Sequence, residues 1–262
     1  MSLNVSPSVS LTPVLWERKV HEEPAWGTVI TIDVRGDVID TSEWGKAVAE
    51  TSKFFDDVNR WFSPYLAYST VSLWQKGVIS ASVLPSEFRE VSDRCKEIKK
   101  FTGGAFDPWA VPGGANFTGY VKGWAAQKAA YIFLSHGFSN VCVNAAGDLW
   151  CEGFENPGDP WSIGIQHPRD PSSVMATVKA SGKAVCTSGT YIKGDHIINP
   201  ATSKPVSDVI SCTVVGSEGG LADALASAGS VLGLRSAEVF ASLEGWEFIV
   251  VTAQDEVFRW VN

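Results

Sequence analysis

Apolar and polar positions alternate along Trp26-Gly27-Thr28-Val29-Ile30-Thr31-Ile32-Asp33-Val34. The run is rich in β-branched residues and predicts a strand led in by a glycine turn. Before it, Leu15 to His21 is mixed and reads as a further strand. The period then changes. Asp40-Thr41-Ser42-Glu43 offers a helix cap, and Trp44, Val48, Thr51, Phe54, Phe55, Val58 and Trp61 recur near every 3.6 residues until Ser63-Pro64 stops the pattern. Ser69 to Trp74 is a short polar–apolar segment. Pro85-Ser86-Glu87 opens a second helix with Phe88, Val91, Cys95 and Ile98 on its apolar face. That helix delivers the chain to Thr102-Gly103-Gly104-Ala105-Phe106-Asp107-Pro108, which is followed by the loop Val111-Pro112-Gly113-Gly114.

Beyond this corner the pattern predicts a helix over Lys122 to Leu134 and a buried strand at Val141 to Asn144. A small-residue turn, Ala145-Ala146-Gly147-Asp148, separates it from Leu149 to Glu152. Trp161 to Gln166, Met175 to Lys179, Ala184 to Thr187 and Asp208 to Val215 read as strands. Gly220 to Leu232 is a helix of small residues, and Ser236 to Leu243 a short one. Phe248 to Val251 and Glu256 to Val261 close the chain as strands. This order is neither a βαβ series nor an all-β pattern, and no fixed-period repeat runs through it, so the fold class is α+β.

Composition narrows the function classes. The chain has 262 residues, 45% of them hydrophobic, which is ample for one large core. We expect a single domain over residues 15–262, preceded by an extended or disordered segment over 1–14. Lys and Arg number 21 and Asp and Glu 29, so the net charge is 21 − 29 = −8. With no basic run, that balance argues against nucleic acid or an anionic membrane surface as partner. No apolar run is long enough for a transmembrane helix. The start lacks a basic n-region, an apolar h-region and a lipid-acceptor cysteine. The expected location is therefore cytoplasmic for the sequence as it stands, and membrane-attached or exported if a leader has been removed. Cys95, Cys142, Cys151, Cys186 and Cys212 form no C-x-x-C pair. They read as small buried hydrophobes in a reducing compartment.

Four stretches carry candidate chemistry. Asp107 sits on a Gly-Gly-Ala-Phe-Asp-Pro corner, where the glycines allow positive φ and the proline stiffens the turn; the plain alternative is a solvent-facing Asp. Lys122-Gly123 opens a helix, and an ammonium beside helix N–H groups suits a phosphate; the alternative is a solvated charge. His196 follows Thr187-Ser188-Gly189 at a strand end, where it orients a ligand, moves a proton or is simply structural. Ser188 and His196 lack a nucleophile elbow, which excludes a hydrolase triad. Asp223 and Ser227 are i and i+4 on a helix, so one face presents a carboxylate and a hydroxyl to a hard cation such as Mg²⁺; the alternative is helix-end charge plus packing.

Taken in order, Thr-Gly-Gly-Ala-Phe-Asp-Pro, Val-Lys-Gly-Trp-Ala-Ala, Val-Asn-Ala-Ala-Gly-Asp-Leu, Trp-Ser-Ile-Gly-Ile, Thr-Ser-Gly-Thr-Tyr, His-Ile-Ile-Asn-Pro-Ala-Thr and Ala-Asp-Ala-Leu-Ala-Ser resemble the ApbE-type FAD:protein FMN transferases. Trp26-Gly27-Thr28 and Ser63-Pro64-Tyr65 with Ser69 resemble that family's opening. The resemblance implies a T-fold-like α+β architecture, with two intimately packed α/β halves and a flavin site between them. It implies Mg²⁺-dependent transfer of FMN from FAD to a threonine hydroxyl of an acceptor flavoprotein, with release of AMP. Asp223 and Ser227 would hold the metal, joined by the carbonyl of Val121. Asp223 and His196 would serve catalysis. Trp26, Ser69, Thr70, Val71, Ser72, Asp107, Lys122, Thr187, Ser188, His196 and Ile197 would line the FAD site. The sequence departs from the family at Asn116, Gln127 and Asn199, where Asp is usual, at Ser227, where Thr is usual, and at Ala145-Ala146, where Gly-Gly is usual. The three amides remove negative charge from the implied site. Two other outcomes stay open: a metal-dependent FAD pyrophosphatase giving FMN and AMP, and a flavin-binding protein without turnover.

Overall fold

The computed structural model describes residues 16–111, 114–190 and 197–262. The expected segment 1–14, Pro112-Gly113 of the loop and His196 lie outside them. Strands β1 (Glu17–Ala25) and β2 (Thr28–Gly36) form a hairpin. Its two-residue turn is Trp26-Gly27, with φ of 54° and 75°. The glycine turn expected to lead into the strand is present, and Trp26 is its first residue. It occupies a left-handed turn position, where the indole Nε1 donates to Phe55 O at 3.2 Å and the ring packs edge-on against Phe55.

Helices follow on one side. In α1 (Thr41–Phe62), Asp40 accepts from the N–H groups of Ser42 and Glu43, and Ala47, Thr51, Phe55, Val58 and Phe62 make the buried face. The segment after Pro64 becomes a short helix, α2 (Thr70–Gln75), because Ser69 caps it through the Ser72 N–H. Helix α3 (Ser86–Phe101) has the expected apolar face. The chain then turns through Gly103 and Gly104, both at positive φ, into α4 (Thr118–Ser135).

A second hairpin, β3 (Asn140–Ala145) and β4 (Asp148–Glu152), is followed by β5 (Phe154–Asn156), β6 (Asp159–His167) and β7 (Asp170–Ala180), which form a sheet of their own. After β8 (Lys183–Gly189) comes the small hairpin of β9 (Ile198–Asn199) and β10 (Lys204–Pro205), unforeseen in the sequence pattern because each strand is only two residues long. Strand β11 (Val209–Gly216), helices α5 (Gly219–Leu232) and α6 (Ser236–Val239), and strands β12 (Glu247–Thr252) and β13 (Val257–Val261) complete the chain.

The central sheet has eight strands in the order β1-β2-β3-β4-β8-β11-β12-β13, and every pairing is antiparallel. Neighbours β2 and β3 are separated in sequence by α1–α4, and neighbours β11 and β12 by α5 and α6. Each half of the sheet thus sends helices out between two adjacent strands, which bears out the α+β reading. Strand alternation sorts the side chains. Ile30, Ile32, Val34, Val141 and Val143 meet the helices in the main core. Cys142, Cys151, Val185 and Ile249 point to the opposite face, where Trp161, Ile165 and Val178 of the β5–β7 sheet cover them.

Candidate active site

Helices α4 and α5 approach backbone to backbone. A Cβ on Gly123 would collide with the carbonyl oxygen of Gly219, and one on Gly219 with that of Gly123. A Cβ on Gly220 would enter the Tyr120 ring. Only glycine permits this crossing, and it brings Asp223 of α5 to the start of α4. There Gly119 leaves helical geometry at φ −81° and ψ 16°. The N–H groups of Tyr120 and Val121 turn back to Phe117 O, while those of Lys122 and Gly123 bond to the Asp223 carboxylate, Gly123 at 3.1 Å. Asp223 therefore caps α4 from another helix. It is 2% exposed, and burial pushes its carboxyl above the usual carboxylate range, against the pull of Lys122 and these two N–H groups.

The Lys122 ammonium pairs with Asp148 Oδ2 at the start of β4. Asp148 is 1% exposed, and its other oxygen accepts from Thr187 N–H at 3.2 Å. This acid ties α4 to both halves of the sheet. Sequence reading placed Asp148 in a small-residue turn and gave it no role; an acid directly after the turn and heading the apolar run Leu149-Trp150-Cys151 was the available signal. Ser227, one turn beyond Asp223, has its Oγ 3.0 Å from Ser188 Oγ on β8. Thr187 Oγ1 lies 2.9 Å from Thr213 Oγ1. Asp223, Ser227, Lys122 and Ser188 thus gather where α4, α5, β4 and β8 meet, with Val121 beside them on α4; Thr187 joins them through its N–H, while its hydroxyl lies with Thr213 on the other face of the sheet.

The remaining candidates stand around that centre. The space over Gly119 is closed by Ser227 Oγ and by the Phe106 ring, so the Gly-Gly-Ala-Phe-Asp-Pro corner abuts it. Asp107 itself is engaged: Oδ1 accepts from Trp109 N–H at 3.0 Å, and Oδ2 is 2.7 Å from Lys99 Nζ. Ser69 is fully buried, with its Oγ donating to Ser63 O at 2.7 Å and lying 2.9 Å from Ser72 Oγ. Thr70 begins α2, and the Val71 side chain lies in the core, so Val71 can meet a ligand only through its backbone. Ser72 and Asn116, with Pro64, Tyr65, Gln75 and Ala115, line a cleft of about 440 Å³. Ile197 O accepts from Val206 N–H at 2.9 Å. Asn116 Oδ1 accepts from Thr118 N–H, and Gln127 Oε1 accepts from Gly219 N–H at 2.8 Å at the start of α5. Among the described residues no three His, Cys, Asp or Glu side chains cluster as a metal site.

A sequence model of the ApbE family matches residues 114–250, which is 250 − 114 + 1 = 137 of 262 positions, more than half of the chain. The chain belongs to the ApbE family. A curated relative, an FAD:protein FMN transferase of Buchnera aphidicola, is 27% identical over 151 residues. That match covers 54% of this chain and 44% of the relative, so the chain spans less than half of that protein's length. Three solved structures share the ApbE fold. The flavin transferase ApbE of Vibrio cholerae superposes with a TM-score of 0.81 at 20% identity, covering 94% of this chain and 97% of that one. The apo flavinyl transferase ApbE of Pseudomonas stutzeri gives 0.78 at 19%, with 96% of each chain covered. The ApbE protein of Thermotoga maritima gives 0.80 at 24%, covering 93% and 97%.

Proposed function

We propose that the chain is an FAD:protein FMN transferase, moving FMN from FAD to a threonine hydroxyl of an acceptor flavoprotein and releasing AMP. The observation that carries this reading is the buried Asp223 carboxylate at the broken start of α4, with Ser227, Ser188 and Lys122 gathered around it. The names of the Buchnera, Vibrio and Pseudomonas proteins support it.

The donor set fits a hard divalent cation. A desolvated carboxylate and a hydroxyl, with the Val121 carbonyl as a third oxygen, suit Mg²⁺, which keeps places for water and phosphate oxygens. Asp223, Ser227 and Val121 would hold it; once bound, it would neutralise charge building on the bridging phosphate oxygens. Lys122 brings a second positive charge, held by Asp148 on one side and free to face a diphosphate on the other. The cleft lined by Ser72 and Gln75 on one side and by Val111, Ala115 and Asn116 on the other gives an elongated dinucleotide room outside this centre. In the transfer the threonine oxygen bonds to the FMN phosphorus, the phosphoanhydride bond to AMP breaks, and the hydroxyl proton passes to a base. Two groups are candidates for that base, a nearby carboxylate and His196.

The test is incubation of the protein with FAD, Mg²⁺ and a threonine-bearing acceptor domain. Mass spectrometry should show the acceptor heavier by one FMN moiety, with AMP in the nucleotide fraction. Free FMN with AMP and an unmodified acceptor would replace the transferase reading by a pyrophosphatase. Intact bound FAD would reduce the protein to a flavin binder.

A further inference from the structure

On the sheet face away from this centre, Cys142 and Cys151 sit directly opposite each other in the β3–β4 pairing, with their sulfurs 3.4 Å apart. Directly paired residues of antiparallel strands have Cα atoms about 4.5–5.5 Å apart, inside the range of about 4.4–6.8 Å that a disulfide spans. Rotation of the two side chains would close the bond without moving either strand. The other three cysteines are placed elsewhere. Cys186 and Cys212 point into the main core, and Cys95 is on α3.

We propose that Cys142 and Cys151 are a thiol–disulfide site that reacts with low-molecular-weight disulfides such as oxidised glutathione. The Cys142 thiolate attacks one glutathione sulfur, forming a mixed disulfide and releasing one glutathione. The Cys151 thiolate then attacks the Cys142 sulfur and releases the second. Two cysteine thiols are oxidised, one glutathione disulfide is reduced, and the two protons end on the released glutathiones. The product staples the β3–β4 hairpin, whose turn leads straight into Asp148. Both thiols are buried, and the hydrogen bond with Cys142, followed by burial, raises the Cys151 pKa well above its ordinary value. The exchange is therefore slow in the folded chain and fast when the hairpin opens.

The experiment equilibrates the whole chain with an oxidised glutathione buffer near pH 8, in one arm native and in the other refolded from denaturant. Remaining thiols are then alkylated under denaturing conditions and mapped by peptide mass spectrometry. The expected result in the refolded arm is 5 − 2 = 3 alkylated cysteines, with Cys142 and Cys151 joined in one peptide pair. Tm should rise by about 5–10 °C, given the short loop closed and the chain length, and fall back on addition of dithiothreitol. Cys142→Ala and Cys151→Ala should each lose the bond and the rise. Five alkylated cysteines in both arms, a bond to any other cysteine, a stable glutathione adduct on Cys142, or a bond formed without a rise in Tm would each overturn the proposal.

Discussion

The α4–α5 crossing and the aromatic wall beside it are built in opposite ways. At the crossing the contact atoms are backbone, with glycine against glycine at Gly123 and Gly219. In the wall, Phe62 stacks on Phe88 with ring centroids 5.3 Å apart, and Phe117 stands edge-on to both. Trp74, Trp109 and Trp124 extend the cluster. Rings can tilt and refill space when a neighbour changes, whereas two backbones at contact distance cannot. The candidate chemistry sits at the crossing. A carboxylate that must reach the N–H groups of another helix needs a fixed approach, and side-chain packing alone would leave it loose.

Two substitutions test whether the crossing combines rigidity and chemistry. Asp223→Ala has the largest expected effect: turnover of FAD with Mg²⁺ should fall by about 100-fold or more. Stability should fall by only about 1–2 kcal/mol, because the lost cap is offset by removal of a buried charge. Product chromatography beside a urea titration separates the two effects, and full turnover in this variant would remove Asp223 from the site. Gly123→Ala should act the other way round. Its methyl group has nowhere to go, so α4 and α5 must part, at a cost of about 3 kcal/mol. Activity should be lost with the fold, as a lowered urea midpoint would show.

Legibility in the sequence follows the same division. The wall's long helices were readable because their apolar residues recur at 3.6 spacing, as in α1, where Thr51, Phe55 and Val58 of the expected face are buried; Ala47 and Phe62 complete that face, while Trp44, Val48, Phe54 and Trp61 are only partly buried. Local corners were readable too, since Gly103 and Gly104 take the positive φ that their position implied. The pairing of Asp223 with Ser227 came from helical spacing alone. What spacing does not carry is contact between distant segments. The Lys122–Asp148 ion pair spans 26 residues, and the Asp223 bond to Gly123 spans 100. The break at Gly119, which frees the N–H groups that Asp223 caps, has no local signature. Likewise Gln127, read as a lost acid, is a helix-end acceptor whose amide oxygen bonds the first N–H of α5.

The wall's tolerance is open to a smaller test. Phe62→Leu removes the stack on Phe88 but keeps an apolar side chain of similar reach, in a cluster with several rings free to shift. The expected loss is about 1 kcal/mol, without a change in the nucleotide products. A loss as large as that of Gly123→Ala would mean that the wall is as unforgiving as the crossing.

The smallest effect concerns what holds α1 to the far end of α4. His136 caps that end, with Nδ1 2.9 Å from Glu43 Oε2 and Nε2 3.0 Å from Glu50 Oε2, both glutamates on α1. Only a protonated ring donates to both. The bonds to Glu43 and then Glu50 raise its pKa above the ordinary value of about 6.5. Because the folded value is the higher one, the contribution to stability is fully present below about pH 6.5 and is lost as pH rises through the raised value. His136→Gln should remove this dependence, so the Tm difference between parent and variant should shrink between about pH 6 and pH 8.5. The shift is modest because the glutamates are solvent-exposed and water screens the pair. A Tm difference that stays constant with pH would leave the aromatic packing of α1 against α4, through Phe62 and Phe54 on Trp124, as what fixes the wall to the helix that carries Lys122.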